Sequence, residues 1–188
     1  LLIFADKKCV RLNLNIRGDY KLNISRFLKP ELIKLKLESK VEFDTEKEIP
    51  PQKRLWSIKK AILKELVDLL DNSGKVCNKN KLYLDLLNRE KKASTGIGKG
   101  IALPHVRTIQ VRDFVMGFAR SVEGYEFDSI DNGTAHLFFV MAAPPYDDAL
   151  YLKVFKALAE LFHSDSLNDE LMAATSEYEV IRAIKKVE

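Results

Sequence analysis

The spacing of apolar residues changes character several times along the chain, and each change marks an element. "CVRLNLNI" (9–16) alternates apolar and polar positions, "RGD" (17–19) supplies a turn, and "YKLNI" (20–24) alternates again, which predicts a β-hairpin. "ELIKLKLES" (31–39) is a third alternating run, and "DTEKEIPPQK" (44–53), charged and with a double proline, breaks the pattern. Leu55, Ile58, Ile62, Leu66, Leu69 and Leu70 then recur at three- and four-residue steps, predicting an amphipathic helix to Asp71 with Gly74 as its stop. Leu82, Leu86 and Leu87 give the inner face of a second helix over 79–91. Strands are expected at 101–105, 113–120 and 134–143. Of these, "HLFFVMAA" is apolar on both faces, as a central buried strand is. "PPYDD" breaks the chain before a helix over 150–162, and Ser176 with Glu179 forms a capping box for "EYEVIRAIKKV".

Helices and strands do not alternate strictly, so a mixed β-sheet flanked by helices (α/β in the broad, α+β sense) is expected rather than a doubly wound parallel sheet. The break near 48 suggests a β-rich N-terminal extension, 1–48, ahead of a domain over 49–188. No internal repeat or low-complexity segment is evident.

Composition narrows the function. The chain has 188 residues, 46% hydrophobic and 31% charged, enough for a proper core. No apolar run nears the roughly 20 residues of a membrane span, and "LLIFA" at the start is too short for a signal peptide. The expectation is a soluble, cytoplasmic protein. Cys9 and Cys77 form no CxxC and have no histidine pair nearby, so neither a zinc site nor a disulfide is expected. The net charge is +4, and residues 1–60 hold the excess of base, 15 Lys/Arg against 8 Asp/Glu. Yet "KPELIKLKLESKVEFDTEKE" alternates sign and lacks interleaved aromatics, which fits a solvated face better than a nucleic-acid surface.

"STGIGKGIALPHVR" (94–107) concentrates the candidate chemistry. It is not a P-loop: Lys99 is followed by Gly100, and no glycine stands five places before Gly98. Nor is it a dinucleotide fingerprint, since Gly96, Gly98 and Gly100 read G-x-G-x-G. Both motifs leave a strand and enter a helix; this one leaves a helix and enters a strand. On composition alone, a tight glycine turn followed by a core histidine explains the stretch equally well. The chemical alternative is His105 as a nucleophile toward phosphorus. A phosphoryl group brings close to two negative charges, which Arg89, Arg107, the Ser94 and Thr95 hydroxyls and the amides of the glycine turn could offset. On a strand, Arg107 and His105 share a face.

"LLNREKKASTGIGKGIALPHVR" (86–107) resembles the phosphorylation-site signature of enzyme IIA domains of the bacterial phosphoenolpyruvate-dependent sugar phosphotransferase system, of the fructose/mannitol type that includes the nitrogen-regulatory IIA proteins. "FDSIDNGTAHLFFVMAAP" (127–144) and "YLKVFKALAELF" (151–162) continue the likeness, which covers about residues 50–188. The resemblance implies a phosphotransferase acting as a phosphoryl carrier with His105 as acceptor. The histidine phosphocarrier protein would be its donor, and a cysteine of enzyme IIB or a regulatory target its outlet. It implies no metal and no cofactor. One departure stands out: a second histidine, usual in the family at the start of the helix after the buried strand, is Tyr151 here. Its hydroxyl can donate to phosphate but has an ordinary pKa near 10, so onward transfer is expected to be slower. That favours a stand-alone regulatory binding module as the second reading. His136 reads as a core or edge histidine and His163 as one at a helix end.

Overall fold

The computed structural model describes residues 22–41 and 48–188, and before them only an antiparallel pairing of Phe4–Ala5 (β1) with Lys8–Cys9 (β2). The hairpin expected over 9–24 therefore lies almost wholly outside the described residues. Its last residue, Ile24, opens a 3-10 turn, Ile24–Arg26.

A six-stranded mixed sheet forms the centre. Its path runs β3 (Ile33–Lys34), β7 (Val115–Tyr125), β8 (Ala135–Ala143), β5 (Ile101–Ala102), β4 (Gly96–Gly98), with β6 (His105–Arg107) also paired to β8. Antiparallel β7/β8 and parallel β5/β8, β6/β8 and β3/β7 pairs coexist, as the irregular order of helices and strands predicts. Helices α1 (Pro51–Asp71) and α2 (Lys79–Lys92) cover one face, and α3 (Asp148–Leu161), α4 (Asp165–Ala173) and α5 (Glu177–Val187) the other. β8 shows why the fold holds. Leu137, Phe139 and Met141 enter the α3–α5 core, while Phe138, Val140 and Ala142 enter the α1–α2 core. Period-two alternation on a strand apolar on both sides gives this two-layer arrangement.

Three expectations need correction. The strand expected over 101–105 is two strands, because Leu103 turns its N–H to the Thr95 carbonyl at 2.9 Å and Pro104 has no N–H to offer. The register survives: Ile101 pairs with Leu137 and His105 with Met141, the same offset. The alternating run at 31–39 yields only β3, since Pro30 starts a 3-10 turn that consumes Glu31 and Leu32. And α4, with Leu167 and Leu171 buried, was not expected at all.

Residues 22–41 are built into this core. Ile24, Leu28 and Ile33 are buried in the α3–α5 cluster. Arg120 of β7, itself 9% exposed, fastens the segment in place. Its Nε donates to the Leu35 carbonyl at 3.1 Å, and its Nη1 donates to the carbonyls of Leu171, Met172 and Ala174 at the end of α4. Half of the expected capping box forms: the Ser176 hydroxyl accepts from the Glu179 N–H at the first turn of α5, while the Glu179 carboxylate accepts chiefly from the N–H and hydroxyl of Thr175 rather than from the Ser176 N–H.

Candidate functional site

His105 opens β6, one residue after Pro104, where the chain rejoins β8. Its ring is 8% exposed and packs edge-on against Phe155 of α3, with centroids 4.8 Å apart. Nδ1 lies 2.6 Å from the Leu103 carbonyl oxygen. A carbonyl only accepts, so Nδ1 carries the proton and the lone pair of the neutral ring sits on Nε2. Burial pushes the imidazole down to about 3, the Arg89 guanidinium adds to this, and the Leu103 bond opposes it. At neutral pH the ring is an uncharged base with one nitrogen available.

Two cavities meet at this ring, and Arg89 and His105 line both. The first, of about 470 Å³, is walled mainly by apolar groups, among them Ile97, Ile101, Leu103, Phe155 and Phe162. The second, of about 810 Å³, is more polar and includes Asp85, Lys92, Arg107, Asp148 and Tyr151. Arg89 stands in the last turn of α2 and its Nη1 donates to the Ala93 carbonyl at 3.0 Å, closing that helix end. Arg107 pairs with Asp148 at 2.5 Å, and its guanidinium carbon lies 5.9 Å from the Tyr151 ring centre. Tyr151 is 6.3 Å from His105, ring centre to ring centre.

The glycine stretch forms the tight turn that the sequence allows. Gly98, Lys99 and Gly100 all take positive φ, at 86°, 54° and 73°, which turns β4 back onto β5. Gly96 is required for closeness: a Cβ there would come within 2.8 Å of the Ser129 Cα. The turn already holds an anion of its own, because the Lys99 N–H donates to the Asp131 carboxylate at 2.8 Å. The hydroxyls are committed as well. Ser94 Oγ donates to the Phe127 carbonyl at 2.9 Å and accepts from Lys59 Nζ at 3.0 Å. Thr95 Oγ1 donates to Glu90 at 2.6 Å.

Residues 45–187 match the family described as the phosphoenolpyruvate-dependent sugar phosphotransferase system, EIIA 2. The chain belongs to that family. It is 33% identical over 165 residues to the fructose-specific EIIABC component of Bacillus subtilis, covering 88% of this chain but only 23% of that longer protein. A fructose-specific EIIA component of Haloferax volcanii is 32% identical over 129 residues, covering 69% of this chain and 84% of its own length. Among solved structures, the nitrogen regulatory protein IIA-Ntr of Neisseria meningitidis superposes with a TM-score of 0.70 at 27% identity, over 86% of this chain and 98% of that one. IIA mannitol of Escherichia coli gives 0.63 at 22% identity over 82% and 96%, a likeness of fold. The family is one of phosphotransferase components, and its members include proteins named for fructose transport and for nitrogen regulation.

Of the residues expected in this EIIA 2 site, Arg89, Ser94 and Thr95 line the apolar cavity with His105, and Arg107 and Tyr151 line the polar one with it. His136 stands apart, bonded to Thr134 Oγ1 at 2.9 Å and to the Ser121 carbonyl at 3.1 Å. His163, expected only at a helix end, is exposed and also borders the apolar cavity. Asp148, Phe155 and the Lys59–Glu90 pair were not singled out in the sequence. Lys59 could have been, since it shares a stripe with Ile62, Leu63 and Leu66 at three-, four- and seven-residue steps. Among the described residues, no cluster of His, Cys, Asp and Glu converges to hold a metal, and no helix is long and apolar enough to cross a membrane.

Proposed function

We propose that His105 is the phosphoacceptor of a relay, taking its phosphoryl group from a phosphorylated histidine phosphocarrier protein and yielding it to an enzyme IIB cysteine. The observation that carries this reading is the bond from His105 Nδ1–H to the Leu103 carbonyl, on a ring that shares two cavities with Arg89. In the first step the Nε2 lone pair forms a bond to phosphorus. The donor's phosphorus–nitrogen bond breaks, and its electron pair returns to the donor imidazole. Nδ1 keeps its proton throughout. Arg89 offsets the charge on the phosphoryl oxygens, with Arg107 and the Tyr151 hydroxyl on the polar side. The Ser94 and Thr95 hydroxyls assist only by exchanging their present carbonyl and carboxylate partners for phosphate oxygens. In the second step a thiolate forms the new bond to phosphorus as the His105 bond breaks. The exposed Ile97, 39% accessible, and Ile130, 79% accessible, lie at the apolar cavity and suit contact with a partner protein.

Incubation with phosphoenolpyruvate, enzyme I and the phosphocarrier, followed by intact mass, tests this. A gain of one phosphoryl group, absent in His105→Gln, is the expected result. No gain in the wild-type chain rejects the relay.

The second reading is a regulatory module whose protein contacts depend on phosphorylation. It is favoured by Tyr151 standing 6.3 Å from His105 where a second imidazole would assist exchange, and by similarity to proteins named nitrogen regulatory protein. Transfer of label from the phosphorylated chain to a IIB cysteine separates the two. Rapid transfer supports transport, and retention supports regulation.

A further inference from the structure

One buried ion pair lies outside the reaction just described, yet it is wired to its centre. Lys59 of α1 is 3% exposed and Glu90 of α2 is 4% exposed. Lys59 Nζ donates to Glu90 Oε1 at 2.8 Å, and sits over the Phe127 ring at 4.8 Å. Two charges withdrawn from water are costly unless their remaining hydrogen-bonding capacity is filled. Most of it is filled by one short segment, with the exposed Asp128 carboxylate 3.7 Å from Lys59 Nζ as a further partner. Glu90 accepts from the Thr95 N–H at 3.1 Å and from the Thr95 hydroxyl at 2.6 Å, while Lys59 also reaches Ser94 Oγ at 3.0 Å. Thr95 passes the constraint on: its carbonyl accepts from the Leu103 N–H at 2.9 Å, and the Leu103 carbonyl accepts from His105 Nδ1 at 2.6 Å.

We propose that Lys59 and Glu90 are positioning residues for His105, holding its Nδ1–H tautomer and ring orientation through Thr95 and Leu103. The claim rests on His105 being the acceptor only for its kinetic consequence; the constraint on the ring stands independently. The pair acts on both halves of the site. Glu90 directly follows Arg89, so fixing its carboxylate also fixes the last turn from which that guanidinium projects. Helix α1 supplies no residue to the cavity walls, so its influence on the imidazole passes through this contact chain. Removing the pair leaves Leu103 free to drift, and with it the acceptor that selects the tautomer.

The test compares Glu90→Gln, the double replacement Lys59→Met with Glu90→Met, and Glu65→Gln. The double replacement keeps the interior neutral and packed while removing every side-chain bond to Thr95. Glu65→Gln loses comparable bonds to Lys34 and Ser39 far from the site and serves as the control. Ring-nitrogen NMR of His105 reports the tautomer, and initial rates of phosphoryl acceptance report the consequence. Glu90→Gln and the double replacement, both folded by circular dichroism, are expected to lower the Nδ1–H population and slow acceptance about tenfold, the scale seen when a group that orients a functional histidine is lost. Glu65→Gln is expected to change neither. Wild-type tautomer signals in a folded Glu90→Gln or double variant overturn the proposal, as does an equal change in Glu65→Gln. If the wild-type chain accepts no phosphoryl group, the relay reading fails while the NMR comparison still decides this one.

Discussion

The two sides of the His105 ring invite comparison because they share a floor and little else. Toward Arg107 and Tyr151 the cavity is broad, about 810 Å³, and carries Lys92, Arg107, Asp85 and Asp148. Toward Phe155 it is narrower, about 470 Å³, and mostly aliphatic and aromatic. A doubly charged group gains from guanidinium and hydroxyl donors, whereas an apolar cleft gains from excluding water. The lesson is that one side chain can serve charge and contact at once if it stands on the boundary. Arg89 reaches both sides from a helix end. Of the donors expected around the phosphoryl group, the glycine-turn amides lie on the apolar side, where Asp131 already holds the Lys99 amide, and Arg107 and Tyr151 lie on the other.

The comparison can be broken most severely at the shared floor. His105→Gln should abolish phosphoryl acceptance in the intact-mass assay, since it removes the nucleophile itself. Arg89→Gln should follow with a loss of about 10²-fold in the acceptance rate, the scale of one lost donor to developing charge. Next comes the apolar side alone: Ile97→Asp should raise KM for the phosphorylated carrier about tenfold with kcat nearly unchanged, read from steady-state transfer. The polar side alone should yield less. Tyr151→Phe is expected to slow acceptance about threefold, less than the full worth of a bond to charge because water can replace the hydroxyl at this half-buried position, and Tyr151→His to speed onward transfer to a IIB cysteine. The last effect is on stability. Because burial and Arg89 lower the His105 pKa to about 3, the folded state favours the neutral ring. Its contribution is whole above the unfolded value near 6.5 and is lost as pH falls from there toward 3. Urea titrations between pH 6.5 and 4.5 should show the wild-type chain losing stability faster than His105→Gln, by about 1.4 kcal/mol per pH unit.

The sequence disclosed most where a period or a signature repeats. The stripe Leu55 to Leu70 gave α1, the doubly apolar "HLFFVMAA" gave the central strand, and Ser176 with Glu179 gave the start of α5. It disclosed least where a contact joins residues far apart. Lys59 and Glu90 are 31 residues apart; the stripe shared with Ile62, Leu63 and Leu66 marks Lys59 as inward-facing, but nothing local names Glu90 as its partner. The present partners of Ser94 and Thr95, the Phe127 carbonyl and the Glu90 carboxylate, are likewise invisible in the sequence, because Phe127 lies across the fold and the inward turn of Glu90 depends on Lys59. Helix α4 is nine residues long and its apolar residues, Leu167 and then Leu171, Met172 and Ala173, are split by an acidic stretch, too short a pattern to show a period. The run at 31–39 alternates as a strand does, but the 3-10 turn that Pro30 opens takes up Glu31 and Leu32.

Arg120 draws its acceptors from stretches of chain that share no strand: Leu35 near one end, and Leu171, Met172 and Ala174 near the other. Such a guanidinium makes the edge segment and α4 open together or not at all, as one cooperative unit. Amide exchange at Leu37, whose N–H is held by the Arg120 carbonyl at 2.7 Å, should then keep pace with the slow amides of β7. Trimming the chain to begin near residue 49 would loosen the far helix as well as the strand it removes.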